Sequence, residues 1–240
     1  MTKPQKIALV SGASSGIGLA TVRLLLEKGY RVTGISRRGE VAGLEHPDFN
    51  PVSIDLGELE SSDSAVRRLL KEHPYDCLVH AAGQGLFGSI EQFSLAQIDA
   101  SIRINLTSAL MLSRVLLPGF RRRGSGRMIF IGSESSLVAG RKGSLYSAAK
   151  FGLRGFCQAL RMDCASDGIQ VSLVNPGMVR SPFFDDLSFR PGANPENAIE
   201  VEDVAAQILH ILQSSDNAVI DEINLSPRVK SIDFSRGSSD

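Results

Sequence analysis

Residues 11–18 read SGASSGIG, closing the apolar run KIALVSG (6–12) and opening IGLATVRLLLEKG (17–29), whose apolar positions recur at helical spacing. A strand, a turn of small residues and a helix, in that order, present unclaimed backbone N–H groups and the positive end of a helix dipole to an anion. The glycines fall at Gly12, Gly16 and Gly18, which misses the G-x-G-x-x-G spacing of the common dinucleotide fingerprint. The spacing still divides the work. Gly12 permits a tight turn, Gly16 lets a pyrophosphate approach the backbone, and Gly18 lets the helix pack close to a sheet. Ser14 and Ser15 add hydroxyl donors. No Lys-Ser/Thr pair follows Gly18, which argues against a P-loop. Taken alone, the stretch is also compatible with a Gly/Ser turn that holds nothing.

Outward from this turn, short β-branched runs alternate with helical patterns. Strands are predicted at 30–36, at FNPVSIDL (49–56), and at 75–83, 126–133, 169–177 and 217–225; helices at 62–73, Leu95 to Arg123, 145–166 and 199–212. Seven strands with intervening helices predict an α/β fold: one doubly wound Rossmann-type domain over residues 1–240, its sheet mostly parallel and covered by helices on both faces. A lid is expected over about 180–198, with RPGANPEN (190–197) as its mobile part. The end of the chain, from about 232 to 240 and including SRGSSD, reads as a frayed tail.

Composition narrows the function classes. Hydrophobic residues make up 42% and charged residues 22% of the 240, ordinary for a globular protein with a substantial core. Lys plus Arg equals Asp plus Glu at 26 each, so no bulk charge argues for nucleic acid or an anionic membrane. Cys77, Cys157 and Cys164 are odd in number, lack metal-ligand spacing, and read as reduced thiols. MTKPQK leads into a strand with no apolar signal core, and no apolar run approaches the ~20 residues that span a bilayer. The expectation is a soluble, cytoplasmic protein with no nucleic-acid or membrane partner.

The end of the second strand carries a further clue. An acidic residue there would hold the adenosine ribose 2′-hydroxyl of NAD; this chain has Ser36-Arg37-Arg38. Two guanidiniums suit a 2′-phosphate through charge-assisted hydrogen bonds and stacking on adenine, which favours NADP. The alternative is a pair of solvated surface arginines. Farther on, Ser133 ends a strand, and Tyr146 and Lys150 stand four apart, on one helix face. A phenol ionises near ~10 and is a poor acid–base group at neutral pH, but a neighbouring ammonium favours the phenolate. Ser133, beyond its strand's carboxyl end, can share a substrate oxygen with that phenol, where open α/β sheets bind ligands.

This set resembles the short-chain dehydrogenase/reductase family, in particular its NADP-preferring single-domain members. SGASSGIG (11–18) is similar to the family's TGxxxGxG loop with Ser for Thr, and HAAG (80–83) sits where the family has NNAG. Asn105 in RINLTS, Ser133 in IGSESS, and Tyr146 and Lys150 in YSAAK match four catalytic positions in order and spacing, and NPGMVRSPF (175–183) resembles the loop after the sixth strand. The resemblance implies that Tyr146 gives a proton to a carbonyl oxygen in reduction, or takes the hydroxyl proton in oxidation. Lys150 would lower the Tyr146 pKa and hold the nicotinamide ribose; Ser133 would orient the substrate oxygen; Asn105 would hold a water linking Lys150 to solvent. Asp55 and Leu56 would contact adenine, and Val179 and Ser181 the nicotinamide carboxamide. Ile17, Ala82, Gly83, Pro176 and Gly177 would complete the cofactor wall. Hydride transfer itself belongs to the cofactor.

Three positions depart from the family pattern. His80 and Ala81 replace two asparagines, and His80 reads as a hydrogen-bonded core residue. Ser181 replaces Thr. INLSPRVKS (223–231) lacks the ending of ketoacyl-carrier-protein reductases and looks more like that of NADP-linked 3-hydroxy acid or small carbonyl reductases. Substrate contacts are expected from Leu86, Phe87, Glu134, Leu137, Met178, Phe183 and Phe184, with the two adjacent phenylalanines on the lid excluding water. The reading is an NADPH-dependent reductase of aldehydes, ketones or 3-oxo acids, reversible, using NADP(H) and no metal, and a homodimer or homotetramer through the helices at 98–122 and 145–166. Its rivals are an NAD-linked alcohol dehydrogenase, a 3-oxoacyl thioester reductase or an epimerase of the same family, and a non-catalytic NADP-binding sensor or scaffold.

Overall fold

A computed structural model describes residues 5–234. Seven parallel strands form one sheet: β1 (Ile7–Ser11), β2 (Arg31–Ser36), β3 (Phe49–Ser53), β4 (Cys77–His80), β5 (Gly126–Ile131), β6 (Ile169–Pro176) and, late in the chain, Glu222–Leu225. From one edge the order is β3-β2-β1-β4-β5-β6 and then Glu222–Leu225, the Rossmann-type order with its reversal between β1 and β4. The central strands read as continuous apolar runs because both faces are covered; all eight residues of β6 are buried. Strand pleating sends alternate side chains to two separate cores. Leu9, Leu78, Met128 and Phe130 face α2 (Leu59–Glu72), α4 (Ser108–Arg123) and α5 (Ser144–Cys164). Ala8, Val10, Val79 and Ile129 face α1 (Gly16–Glu27) and α6 (Val201–Gln213).

Four details differ from the sequence reading. The strand over 49–56 stops at Ser53, so Asp55 and Leu56 lie on the turn after it, where the Asp55 carboxylate accepts from the Gly57 N–H at 2.9 Å. The strand over 217–225 shrinks to Glu222–Leu225, the four residues that pair with β6. The helix over 95–123 is interrupted by a wide π-turn at Arg103–Thr107, between α3 (Leu95–Ile102) and α4. That 29-residue helix also contains an 18-residue stretch of mean hydropathy 1.2, long and apolar enough to cross a bilayer, contrary to expectation. Half of that stretch is buried inside the protein, where Leu112, Val115, Leu116 and Phe120 fill the core, so its apolarity has a structural use.

The lid is tied at both ends. β7 (Val179–Arg180) pairs with β9 (Ile199–Glu200), and β8 (Arg190–Pro191) pairs antiparallel with β11 (Ile232–Asp233); the strand Glu222–Leu225 of the large sheet is β10 and precedes β11 in sequence. Ile232 and Asp233 are therefore paired, which corrects the expected fraying from 232; SRGSSD (235–240) lies outside the described residues. The stretch 190–197 is likewise strapped down. Gly192 N–H donates to Ser231 O at 3.0 Å, Val229 N–H to Glu196 O at 3.0 Å, and the buried Asn197 amide to Val229 O at 3.0 Å. Replacing Asn197 by Ala should cost about 1 kcal/mol, the net worth of one such bond, and should speed amide exchange at Gly192 and Val229. Urea titration and hydrogen exchange read both; unchanged exchange at those amides would show that the side chain does not hold the strap.

Candidate active site

The carboxyl ends of β1, β2, β4, β5 and β6 open on one cavity of about 1610 Å³. At one end lies the glycine turn. Gly12 takes φ +69°, and a Cβ there would lie 2.8 Å from the backbone of Ala81 and Ala82. At Gly18 a Cβ would come within 2.1 Å of the Gly12 carbonyl oxygen. Helix α1 thus presses directly on the loop, and only glycine permits it. Its first turn carries no acidic residue and Ser15 makes no side-chain cap, so the leading N–H groups remain free for an anion. Ser14, Ser15, Gly16 and Ile17 line this end of the cavity with Ser36, Arg37 and Arg38. Arg38 donates to the Ser14 hydroxyl at 3.1 Å, and both guanidinium side chains are exposed without a carboxylate partner among the described residues. Asp55 and Leu56 line the same end.

At the other end stand Ser133, Tyr146 and Lys150. Ser133 caps a short turn: its Oγ accepts from Ser135 N–H at 3.1 Å, leaving the hydroxyl proton to be donated into the cavity. Lys150 is buried and donates to the Ile131 carbonyl at 2.8 Å, with its Nζ 5.6 Å from the centre of the Tyr146 ring. Burial pushes Lys150 down to about 8 and pushes Tyr146 up to about 12, the Ser133 hydroxyl pulling the phenol the other way. The expected lowering of Tyr146 by Lys150 is therefore absent in the protein alone: the ammonium lies over the ring face, and desolvation of the phenolate dominates.

Asn105 sits behind this group rather than in the cavity wall. It is buried in the π-turn, where its side-chain oxygen accepts from Gln84 N–H at 3.1 Å and its amide donates to Gln84 O at 2.9 Å and Ser101 O at 3.0 Å. A Cβ on Gly83 would fall 3.0 Å from the Asn105 oxygen and 3.7 Å from Lys150 Nζ, so glycine keeps a gap open between the two. The helical periodicity over this region gave no sign of the wide turn, a feature that recurs at functional sites.

His80 turns out to be a linker. Ser108 Oγ donates to the Ile104 carbonyl at 2.8 Å and lies 3.2 Å from His80 Nε2, while Ser11 Oγ lies 2.8 Å from Nδ1. With the Ser108 proton committed, Nε2 carries the ring proton and donates to Ser108, and Nδ1 accepts from Ser11. Ser11 in turn accepts from Ala82 N–H at 3.2 Å. One neutral imidazole so joins the end of β1, the HAAG turn and the π-turn that holds Asn105.

Of the remaining substrate candidates, Phe87, Glu134, Met178, Phe183 and Phe184 line the cavity, as do Ala82, Gly83, Pro176, Gly177, Val179 and Ser181 along its floor. Leu86 and Leu137 stand outside the wall, although Leu86 directly precedes Phe87, which lines it. Glu134 is held by Lys230 at 2.7 Å, so it is not a free counter-ion for a cationic substrate. Phe189 and Lys230, absent from the sequence reading, also line the cavity. Cys157 is wholly buried in the core.

A doubly wound sheet whose switch point opens on a glycine turn at one end and a Ser–Tyr–Lys group at the other defines a nucleotide-dependent oxidoreductase. Residues 6–190 match the family described as short chain dehydrogenase, and the chain belongs to that family. The uncharacterized oxidoreductase YbbO of Escherichia coli K12 is 33% identical over 198 residues, 80% of this chain and 74% of that protein. Among solved structures, a short-chain dehydrogenase from Streptomyces avermitilis is 26% identical with a TM-score of 0.82, covering 94% of this chain and 89% of its own. A metagenomic short-chain oxidoreductase in complex with NADP is 28% identical with a TM-score of 0.79, covering 94% and 98%.

Burial pushes His80 down to about 3, with the Lys150 charge adding to the effect. The unfolded imidazole takes a proton near ~6.5, so the unfolded state binds it first and stability should fall as pH drops from 6.5 toward 3. In His80→Asn the urea midpoint should fall less steeply over that window, even if the variant is weaker at pH 7.5. Equal slopes in the two proteins would refute the buried neutral imidazole.

Proposed function

We propose that this oxidoreductase reduces a carbonyl group, of an aldehyde, ketone or 3-oxo acid, to an alcohol with NADPH. One observation carries the reading: the Arg37–Arg38 pair and the Ser133–Tyr146–Lys150 group open on opposite ends of the same cavity. The residues present fit the dinucleotide. The free N–H groups of α1 suit a pyrophosphate, and two guanidiniums beside Ser36, without a carboxylate partner among the described residues, suit a 2′-phosphate where an NAD site would carry an acid. The NADP complex of the metagenomic relative supports the same choice. When bound, NADPH supplies the hydride.

The chain's own groups handle the oxygen. Ser133 donates a hydrogen bond to the carbonyl oxygen and orients it. Tyr146 gives that oxygen a proton as the carbon becomes tetrahedral, and the charge left on the phenol lies near the Lys150 ammonium. A phenol kept protonated by burial is the form reduction needs; oxidation would start from the phenolate, which burial disfavours. Lys150, fixed by the Ile131 carbonyl, also has N–H groups left for a nicotinamide ribose. Asn105 keeps the π-turn and Gln84 in place behind them. For quaternary structure we propose a homodimer or homotetramer, on the strength of Leu110, Phe151 and Met162 exposed along α4 and α5.

Replacing Tyr146 by Phe should lower kcat at least ~100-fold, as loss of a general acid does, while NADPH still binds in a fluorescence titration. Native turnover in that variant would exclude the phenol as proton donor. Arg37→Ala should raise the Michaelis constant for NADPH by about tenfold or more, the scale of one charge-assisted hydrogen bond, with little change for NADH. A loss shared equally by both cofactors would assign Arg37 a structural role instead.

A further inference from the structure

Five aromatic rings close a circuit beside the reacting group. Tyr146 and Phe87 have ring centres 5.1 Å apart, Phe87 and Phe189 4.9 Å, Phe189 and Phe184 5.8 Å, Phe184 and Phe183 5.1 Å, and Phe183 returns to Tyr146 at 5.9 Å. These residues come from three separate segments in a chain that is only 6% aromatic, and all five line the cavity. Their convergence is built in. Gly85 has no side chain where a Cβ would lie 2.8 Å from Phe183, 3.0 Å from Phe87 and 3.1 Å from Leu187, so its absence gives those groups their room.

We infer that the carbonyl compound reduced here bears an aryl group, and that this group packs among Phe87, Phe183, Phe184 and Phe189; the inference rests on the reductase reading above. A carbonyl oxygen at the Tyr146 hydroxyl brings its substituents against the rings that touch Tyr146. Three of the ring pairs meet at 69–87°, presenting both edges and faces to a guest. Such walls favour an aromatic guest over an alkyl group of equal area by roughly two- to tenfold in affinity for each edge-to-face pair formed. They are also stiff, since each Phe has only two side-chain torsions, and so lose little freedom on binding. Glu134, which lines the cavity, is held by Lys230 at 2.7 Å, so it is not a free carboxylate for an ammonium on the guest.

The test compares benzaldehyde with propanal as substrates under NADPH, and benzyl alcohol with propan-1-ol as ligands titrated calorimetrically into the protein without nucleotide. Benzaldehyde should have a kcat/KM at least tenfold above that of propanal, and benzyl alcohol should bind at least tenfold more tightly than propan-1-ol. In Phe87→Leu and Phe189→Leu, which keep an apolar group but remove a ring, the benzaldehyde-to-propanal ratio should fall at least tenfold. Equal values for aryl and alkyl partners, or a ratio unmoved in both variants, would overturn the inference. Absence of NADPH oxidation with every carbonyl would sink the reductase reading; preferential benzyl alcohol binding in that case would leave the aryl site standing.

Discussion

At residue 18 the first helix lies so close to the preceding loop that the place of a side-chain carbon is already taken by the Gly12 carbonyl, 2.1 Å away. This contact sets the depth at which α1 enters the sheet and aims its uncapped N–H groups at the cavity. The loop is held from its other side as well, by Ala13 N–H donating to Ile35 O at 3.2 Å and by the backbone of Ala81 and Ala82 behind Gly12. Because β2 ends beside the same loop, Arg38 reaches Ser14, and the two arginines stand where the turn can share an anion with them. Everything at the nucleotide end of the cavity follows from that packing.

The chemical end is governed by burial. Lys150 and Tyr146 share one face of α5, but their neighbourhood matters more than their spacing. Removed from water, each is driven toward its neutral form, and the Ile131 carbonyl holds the amine. His80 obeys the same rule and becomes useful through it: as a neutral ring it donates on one side and accepts on the other, tying three segments together without a buried charge. A charged imidazole could not accept from Ser11, so the link depends on the desolvation that keeps His80 neutral.

The fold was legible in the sequence to the extent that it rests on short-range periodicity. Alternating strand and helix patterns located the seven strands and the major helices, and errors concentrated at ends such as Ser53 and Glu222, where pairing with a neighbouring strand decides the boundary. Of the candidate site, the glycine turn, the arginine pair and the Tyr146–Lys150 spacing could be read because each is a local pattern with a physical meaning of its own. Leu86 could not be told from Phe87 as a wall residue, since which of two neighbours faces a cavity depends on backbone direction.

By itself, the sequence determined a parallel α/β sheet, an anion-binding turn of G-x-x-x-G-x-G spacing, and a serine, tyrosine and lysine in an order that resembles one enzyme family. Only the tertiary structure decided the π-turn at Asn105, the hydrogen-bond chain through His80, the strap joining Arg190–Pro191 to Ile232–Asp233, and the ring circuit that includes Phe189. It also decided the direction of the Tyr146 shift. The division has one cause: backbone periodicity and i,i+4 spacing act within a few residues and are written in the chain, whereas desolvation and side-chain contact depend on which distant segments the fold brings together.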